Sequence, residues 1–237
     1  STPKFWKSLK SLGLKIVNPV PSLFTFNCKD PRIDGLMGIS FENAEIKINQ
    51  FKLDAEGPML ITHWGFSGPA ILRLSAWGAL KLNECGYKFD IEINFVNQSK
   101  DEVISFLNDK KQVDAKKNVH KNNPFDFPKR FWLSILNYCN IDEQKVYADL
   151  SKKHLDAIAT ELTQGKYSVN GKSTFKDEFV TAGGVDLKEI DFQTMQAKKL
   201  PNLFFAGEVL NIDAITGGFN FQACWSDGYV ISEKLKE

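Results

Sequence analysis

The chain predicts an α+β fold, and three observations carry that reading. A β-rich stretch comes first, a helical excursion interrupts it, and β periodicity returns before a tail that ends in a long helix. Each change of period marks a change of structure, because side chains recur every two residues on a strand face and every 3.6 on a helix face.

From residue 23 to about 98 the signal is largely β. Ile91, Ile93 and Phe95 alternate with Glu92 and Asn94, giving one apolar and one polar face. Ile46 and Ile48 follow the same rule until Asn49-Gln50 shifts the phase to Phe51 and Leu53, which predicts a turn or bulge. One helix interrupts this region. Ser67 is its predicted N-cap, Pro69 sits in the first turn, and Gly86 lies just beyond its end.

Between 99 and 164 the pattern becomes helical. Ser99 and Glu102 fit a capping box ahead of Val103, Phe106 and Leu107. Phe131, Trp132, Ile135, Leu136 and Cys139 form a second stripe, and Leu155, Ile158, Ala159 and Leu162 a third before Gly165. The lysine-rich stretch 109–123 between them reads as a solvated linker.

After Gly165, Asn170-Gly171 between Tyr167-Ser168-Val169 and the run 172–180 predicts a two-residue hairpin completing the earlier sheet. Gly183 and Gly184 follow. Two adjacent glycines let backbone approach either a planar ring or a second chain segment at a tight crossover.

In the tail, Leu203-Phe204-Phe205-Ala206 is a short apolar run entered from Pro201-Asn202, which predicts a buried strand. Gly207-Glu208 follows directly. In open α/β sheets ligands bind beyond the carboxyl ends of strands, and a carboxylate there accepts hydrogen bonds from a sugar or polyol hydroxyl. Thr216-Gly217-Gly218 then opens a predicted helix to about Leu235, whose free N–H groups favour an anion.

Composition narrows the function classes. Thirty basic against 29 acidic residues leave a formal charge of +1, which removes the electrostatic case for nucleic acid or an anionic membrane. Cys28, Cys85, Cys139 and Cys224 lie far apart, and His63, His120 and His154 share no metal-ligand spacing, so no metal site is expected. With no membrane-length apolar run and no disulfide pattern, the expected compartment is the cytoplasm. Gly65-Phe66-Ser67-Gly68-Pro69 misses the nucleophile elbow at Pro69, and Gly171-Lys172-Ser173-Thr174 misses the P-loop register. No acid, base or nucleophile stands out as catalytic.

Several blocks together resemble the bacterial NAD(P)/FAD-dependent oxidoreductases of the aminoacetone oxidase-like kind. They are Pro21-Ser22-Leu23-Phe24-Thr25-Phe26-Asn27 and the runs 60–77 (LITHWGFSGPAILRLSAW), 175–185 (FKDEFVTAGGV), 194–199 (TMQAKK) and 204–220. The resemblance implies a Rossmann-like FAD domain interrupted by a β-barrel-like insert, itself interrupted by a small helical insert. On that pattern residues 1–22 and 186–237 belong to the FAD domain, 23–98 and 165–185 to the β-rich insert, and 99–164 to the helical insert. This chain departs from the family's Glu-x-x-Asp-x-Asp-Gly at Asn211 and Ala214, and has Ala223-Cys224 for a commoner His-Ala.

The resemblance implies FAD in a full-length protein, with NAD(P) as a second cofactor. Glu208 would meet the ribityl hydroxyls, and Gly207, Thr216, Gly217, Gly218, Phe219 and Asn220 the pyrophosphate or pyrimidine edge, with Gly183 and Gly184 near the ring. It also implies oxidation of a small, amine-bearing substrate. Yet no Gly-x-Gly-x-x-Gly occurs among the 16 glycines, and the chain opens on Ser1. The expectation is therefore a piece lacking the N-terminal FAD-binding half, inactive alone and not retaining FAD, with dimerisation through the FAD-domain surface so exposed. A non-catalytic binding module formed by the inserts is the rival reading. Neither nucleic acid nor membrane is an expected partner.

Overall fold

The structure is a computed structural model that describes residues 3–173 and 180–236. In chain order the elements are α1 (Pro3–Ser11), β1 (Ile16–Ser22), β2 (Thr25–Asn27), β3 (Ser40–Ile48), β4 (Leu53–Ile61), β5 (Gly65–Ser67), α2 (Pro69–Trp77), α3 (Ala79–Glu84) and β6 (Lys88–Asn94). There follow α4 (Lys100–Val113), α5 (Lys129–Tyr138), α6 (Lys152–Gln164), β7 (Gly165–Asn170), β8 (Lys172–Ser173), β9 (Val180–Val185), β10 (Ile190–Asp191), β11 (Gln196–Ala197) and α7 (Phe219–Lys234). They fall into two compact units, one of Ser1–Phe24, Ser75–Glu84 and Thr174–Glu237, the other of Thr25–Leu74 and Cys85–Ser173.

The second unit carries an antiparallel sheet in the order β7-β6-β3-β4-β5-β2-β8. The phase shift at Asn49-Gln50 is a single 3-10 turn closed by Lys52 in the left-handed region, which joins β3 to β4. Among the described residues Asn170-Gly171 does not make a hairpin: β7 pairs with β6 and β8 with β2, and the two do not pair with each other. Gly171, at φ 108°, donates its N–H to the Tyr87 carbonyl and accepts from the Asn27 N–H. One extended run thus changes partners at the glycine, and the remainder of the predicted second arm, 174–179, lies outside the described residues. Among the described residues the ladder pairs form no closed barrel. The two ends of the sheet order are instead joined through the backbone of Gly171.

The helices of this unit follow their stripes. Ser99 and Glu102 make the reciprocal capping box at the start of α4, and Ser151 makes one with His154 at the start of α6. Val103, Leu107, Phe131, Trp132, Ile135, Leu136, Leu155, Ile158 and Leu162 are buried. The stretch 109–123 is more than a linker, since α4 runs through Val113 and both Val119 and His120 are buried. Ser67 does not cap α2. It lies in β5 and accepts from the Thr25 hydroxyl, while the Gly68 carbonyl receives the first helical N–H, from Leu72.

Aromatic side chains fill the centre of this unit. Phe41 meets Phe95 and Phe131 at 4.9 Å each, and Phe66 meets Tyr167 at 5.1 Å, tilted or edge-on as ring quadrupoles favour. Among them sits Arg32, 5% exposed, bonded to Asp30 at 2.7 Å and Glu161 at 2.6 Å, donating to the Lys166 carbonyl, and 3.8 Å from the Tyr167 ring centroid. Burial alone would raise the Asp30 carboxyl, but the Arg32 bonds hold it below its ordinary range.

In the first unit β1 pairs antiparallel with β9, Ile16 opposite Val185 and Ser22 opposite Val180. Val20, Ala79 and Ala182 form a small apolar cluster. A larger one gathers Leu9, Leu14, Val185, Ile190, Met195, Ala197, Phe205 and Leu210. The predicted strand at 203–206 is not one. Among the described residues its pairing is a single bridge, Gln196 with Phe204, and the chain turns at Gly207–Val209 into a 3-10 helix. Without a neighbouring ladder its buried residue, Phe205, is held by the apolar cluster instead.

Candidate functional site

The residues singled out in the tail all lie in the first unit, and each can be located. Gly183 and Gly184 stand in β9 at φ 95° and 130°. A Cβ on Gly183 would lie 2.5 Å from the Asn18 carbonyl oxygen, and one on Gly184 2.6 Å from that of Val209. Both close approaches are made to the chain itself. They let β9 run against Leu210, and the Val185 carbonyl accepts from the Asn211 N–H at 2.9 Å.

Gly207, at φ 73°, begins the 3-10 turn that carries Glu208. Its N–H donates to Asp227 Oδ2 at 3.0 Å, and a Cβ there would meet Cys224 Sγ at 3.0 Å, so this turn is pinned to the middle of α7. The Glu208 carboxylate is exposed. Gly217 and Gly218 have positive φ, and nothing lies within 4 Å of where a Gly218 side chain would begin. α7 therefore starts from a left-handed glycine with no side-chain cap, leaving its first-turn amides without intrahelical acceptors. Thr216 is exposed and does not cap. Asn220 instead clamps the preceding loop: its Oδ1 accepts from the Ala214 N–H at 2.9 Å and its Nδ2 donates to the Ala214 carbonyl at 3.0 Å.

That clamp shapes a cavity of about 520 Å³ lined by Ala76, Trp77, Asp213, Ala214, Ile215 and Phe219. Trp77 and Phe219 are each more than half exposed, at 53% and 55%. Asp213 is half-buried. Burial raises its carboxyl above the ordinary range, opposed by the hydroxyl of fully buried Ser22, which donates to Oδ2 at 2.9 Å. Sequence reasoning named Phe219 but passed over Asp213, noting it only as part of an altered motif. Its sole signal was position in the loop between Glu208 and the glycine pair; its partner Ser22 lies 191 residues away.

His63 lines a different cavity, of about 540 Å³, inside the second unit with Cys28, Asp30, Met37 and Thr62. Asp30 there is committed to Arg32, and burial pushes the Cys28 thiol up to about 12, so neither offers a free base or nucleophile. Among the described residues no group of three His, Cys, Asp or Glu side chains could hold a metal ion, and no helix is long and apolar enough to cross a membrane.

Residues 20–180 match the family model described as the HI0933-like protein barrel and H2TH domain. The chain belongs to this family. It is similar to two proteins named ribosomal RNA dihydrouridine synthase: that of Escherichia coli (strain K12), 26% identical over 99% of the chain and 56% of the relative, and that of Haemophilus influenzae, 28% identical over 97% and 55%. It is also similar to the 3-dehydro-bile acid delta(4,6)-reductase of Clostridium scindens, 23% identical over 96% of the chain and 56% of the relative. This HI0933-like chain thus spans about half the length of the curated relatives it matches, and its relatives are oxidoreductase-like enzymes.

Proposed function

We propose that the chain is part of an FAD-dependent oxidoreductase that adds two hydrogens across a carbon–carbon double bond conjugated to a carbonyl. One observation carries the reading: relatives with unlike substrates, matched over nearly the whole chain, bear names that describe the same chemistry. Dihydrouridine is uridine saturated at the ring double bond beside a carbonyl, and a 3-dehydro bile acid with 4,6 unsaturation is a conjugated ketone. The relatives' names offer no support for the amine-bearing substrate that the sequence resemblance implied.

The geometry supports the cofactor. The open amides at the start of α7 suit a phosphate or the negative charge of a reduced ring, and the exposed Glu208 carboxylate can accept from ribityl hydroxyls. Flavin, when bound, supplies the hydride equivalent. The protein must then hold the carbonyl so that charge developing on its oxygen is stabilised, and deliver a proton to the carbon beside it. Half-buried Asp213, bonded to Ser22, lines the cavity beside the start of α7 and is our candidate for either task.

The test uses the full-length protein: a flavin absorption band, then anaerobic incubation with NAD(P)H and either a cyclic enone or uridine-containing ribosomal RNA, followed by mass spectrometry. Gain of two hydrogens by either acceptor supports the reading, and the acceptor identifies the carrier of the double bond. A bound flavin that reduces neither but oxidises amines would replace it.

A further inference from the structure

We propose that a phenylalanine-lined cavity in the second unit binds a free quaternary ammonium ion, held by the ring faces and by the Asp126 carboxylate. The inference is independent of the reduction reading and concerns binding rather than turnover.

The cavity, of about 380 Å³, takes its walls from the end of β6, from α4 and from the loop before α5, with Phe95, Phe106, Phe125, Phe127 and Asp126 among them. That is the size of a small-molecule site. Phe95 is buried, but Phe106, Phe125 and Phe127 are only half-buried and keep ring surface open. The loop that carries two of them is clamped by one side chain: Asn123 Oδ1 accepts from the Phe125 N–H at 3.0 Å, and its Nδ2 donates to the Phe127 carbonyl at 2.6 Å. Between the two rings Asp126 stands at φ 55°, a left-handed conformation that costs a non-glycine residue and that the clamp maintains.

The chemistry of these walls selects the guest. The face of a phenyl ring is negative, so it attracts a cation and repels an anion. One ammonium already stands by this cluster, Lys110 Nζ at 5.6 Å from the Phe106 centroid, its charge shared with Asp114 at 3.4 Å. Asp126 is the sole charged side chain lining the cavity, and among the described residues no cation pairs with it. A neutral hydrocarbon would cover that carboxylate and return nothing. Ring geometry disfavours a flat guest, since Phe106 and Phe125 are tilted by 57°, and the stacked Phe125 and Phe127, 5.8 Å apart, are too close to admit a ring between them. A primary amine would need acceptors for three N–H groups, and the Phe127 carbonyl is already bonded to Asn123. A quaternary nitrogen has no N–H to satisfy, and its methyl groups present a rounded apolar surface that carries the charge.

The experiment is a ligand-observed NMR titration of the full-length protein with choline and with 3,3-dimethylbutan-1-ol, its neutral isostere, in which carbon replaces the nitrogen. The expected result is binding of choline with roughly tenfold preference over the isostere, because the two differ in charge and hardly in shape. The double variant Phe106→Leu/Phe125→Leu keeps the walls apolar and removes two negative faces, so it should abolish the preference. Asp126→Asn should reduce it by roughly twofold to fivefold, the worth of one exposed ion pair. Equal affinity for the two compounds, no binding of choline, or a preference that persists in full in the double leucine variant overturns the proposal. The first would make the cavity an apolar docking face, and the last would place the cation elsewhere on the protein. Because the isostere comparison needs no variant, it stands even if the double variant fails to fold.

Discussion

The Ser22 hydroxyl donates to Asp213 Oδ2 at 2.9 Å, tying the end of β1 to a loop 191 residues later. The bond holds a half-buried carboxylate that burial otherwise disfavours. Ser22→Ala removes a bond that lowers the Asp213 pKa, so the pKa rises further, and stability at neutral pH falls by about 1–3 kcal/mol. Carbon-detected NMR titration of the carboxyl and denaturant unfolding check the two parts.

Asp213 also sets a pH dependence. Its folded pKa is raised, so its contribution to stability is full below the unfolded value of 3.8 and is lost as pH rises through the folded value. Asp213→Asn should therefore flatten that slope and stabilise the protein at pH 7 relative to its effect at pH 3. Unfolding curves at the two pH values measure it.

Arg32 gives the opposite sign. The folded pKa of Asp30 lies below 3.8, so the stability from its bonds to Arg32 is full above that pH and is lost on acidification through the folded value. Arg32→Met strands Asp30 and Glu161 in a part-buried setting and should cost about 3–5 kcal/mol at pH 7, with the loss shrinking in acid. Urea midpoints across pH 3–7 test this.

Gly184→Ala should destabilise by about 2–4 kcal/mol, because the new Cβ would stand 2.6 Å from the Val209 carbonyl oxygen at φ 130°. Gly218→Ala carries only the backbone strain, since that position is open. Thermal unfolding of both variants should rank them in that order.

In the full-length protein, Glu208→Ala should weaken FAD roughly tenfold to a hundredfold, the worth of one charge-assisted hydrogen bond. Fluorimetric titration of the apo-protein reads it. Unchanged affinity would make Glu208 a surface residue.

Features set by neighbours within a turn or two were legible in the sequence. The capping box of Ser99 and Glu102, the buried stripes of α4, α5 and α6, the alternation in β6 and the helix that opens after Gly217-Gly218 all depend on local geometry and period. The β, α, β order was legible for the same reason, and β7 and β8 do join the sheet that holds β3 to β6. What tertiary structure decided is partnership. Asn170-Gly171 has hairpin chemistry, yet Tyr87, in the turn before β6, and Asn27, at the end of β2, stand ready, and Gly171 bonds to both. The run 203–206 has strand composition but only one bridging neighbour, so burial against Leu9, Leu14 and Leu210 replaces a ladder. Asp213 became a candidate only when folding brought Ser22 and Trp77 to it, because a carboxyl's burial, partner and cavity arise from segments far apart in the chain. Local sequence carries the backbone's preferences; which distant groups satisfy them is settled by packing, whose energy no short window contains.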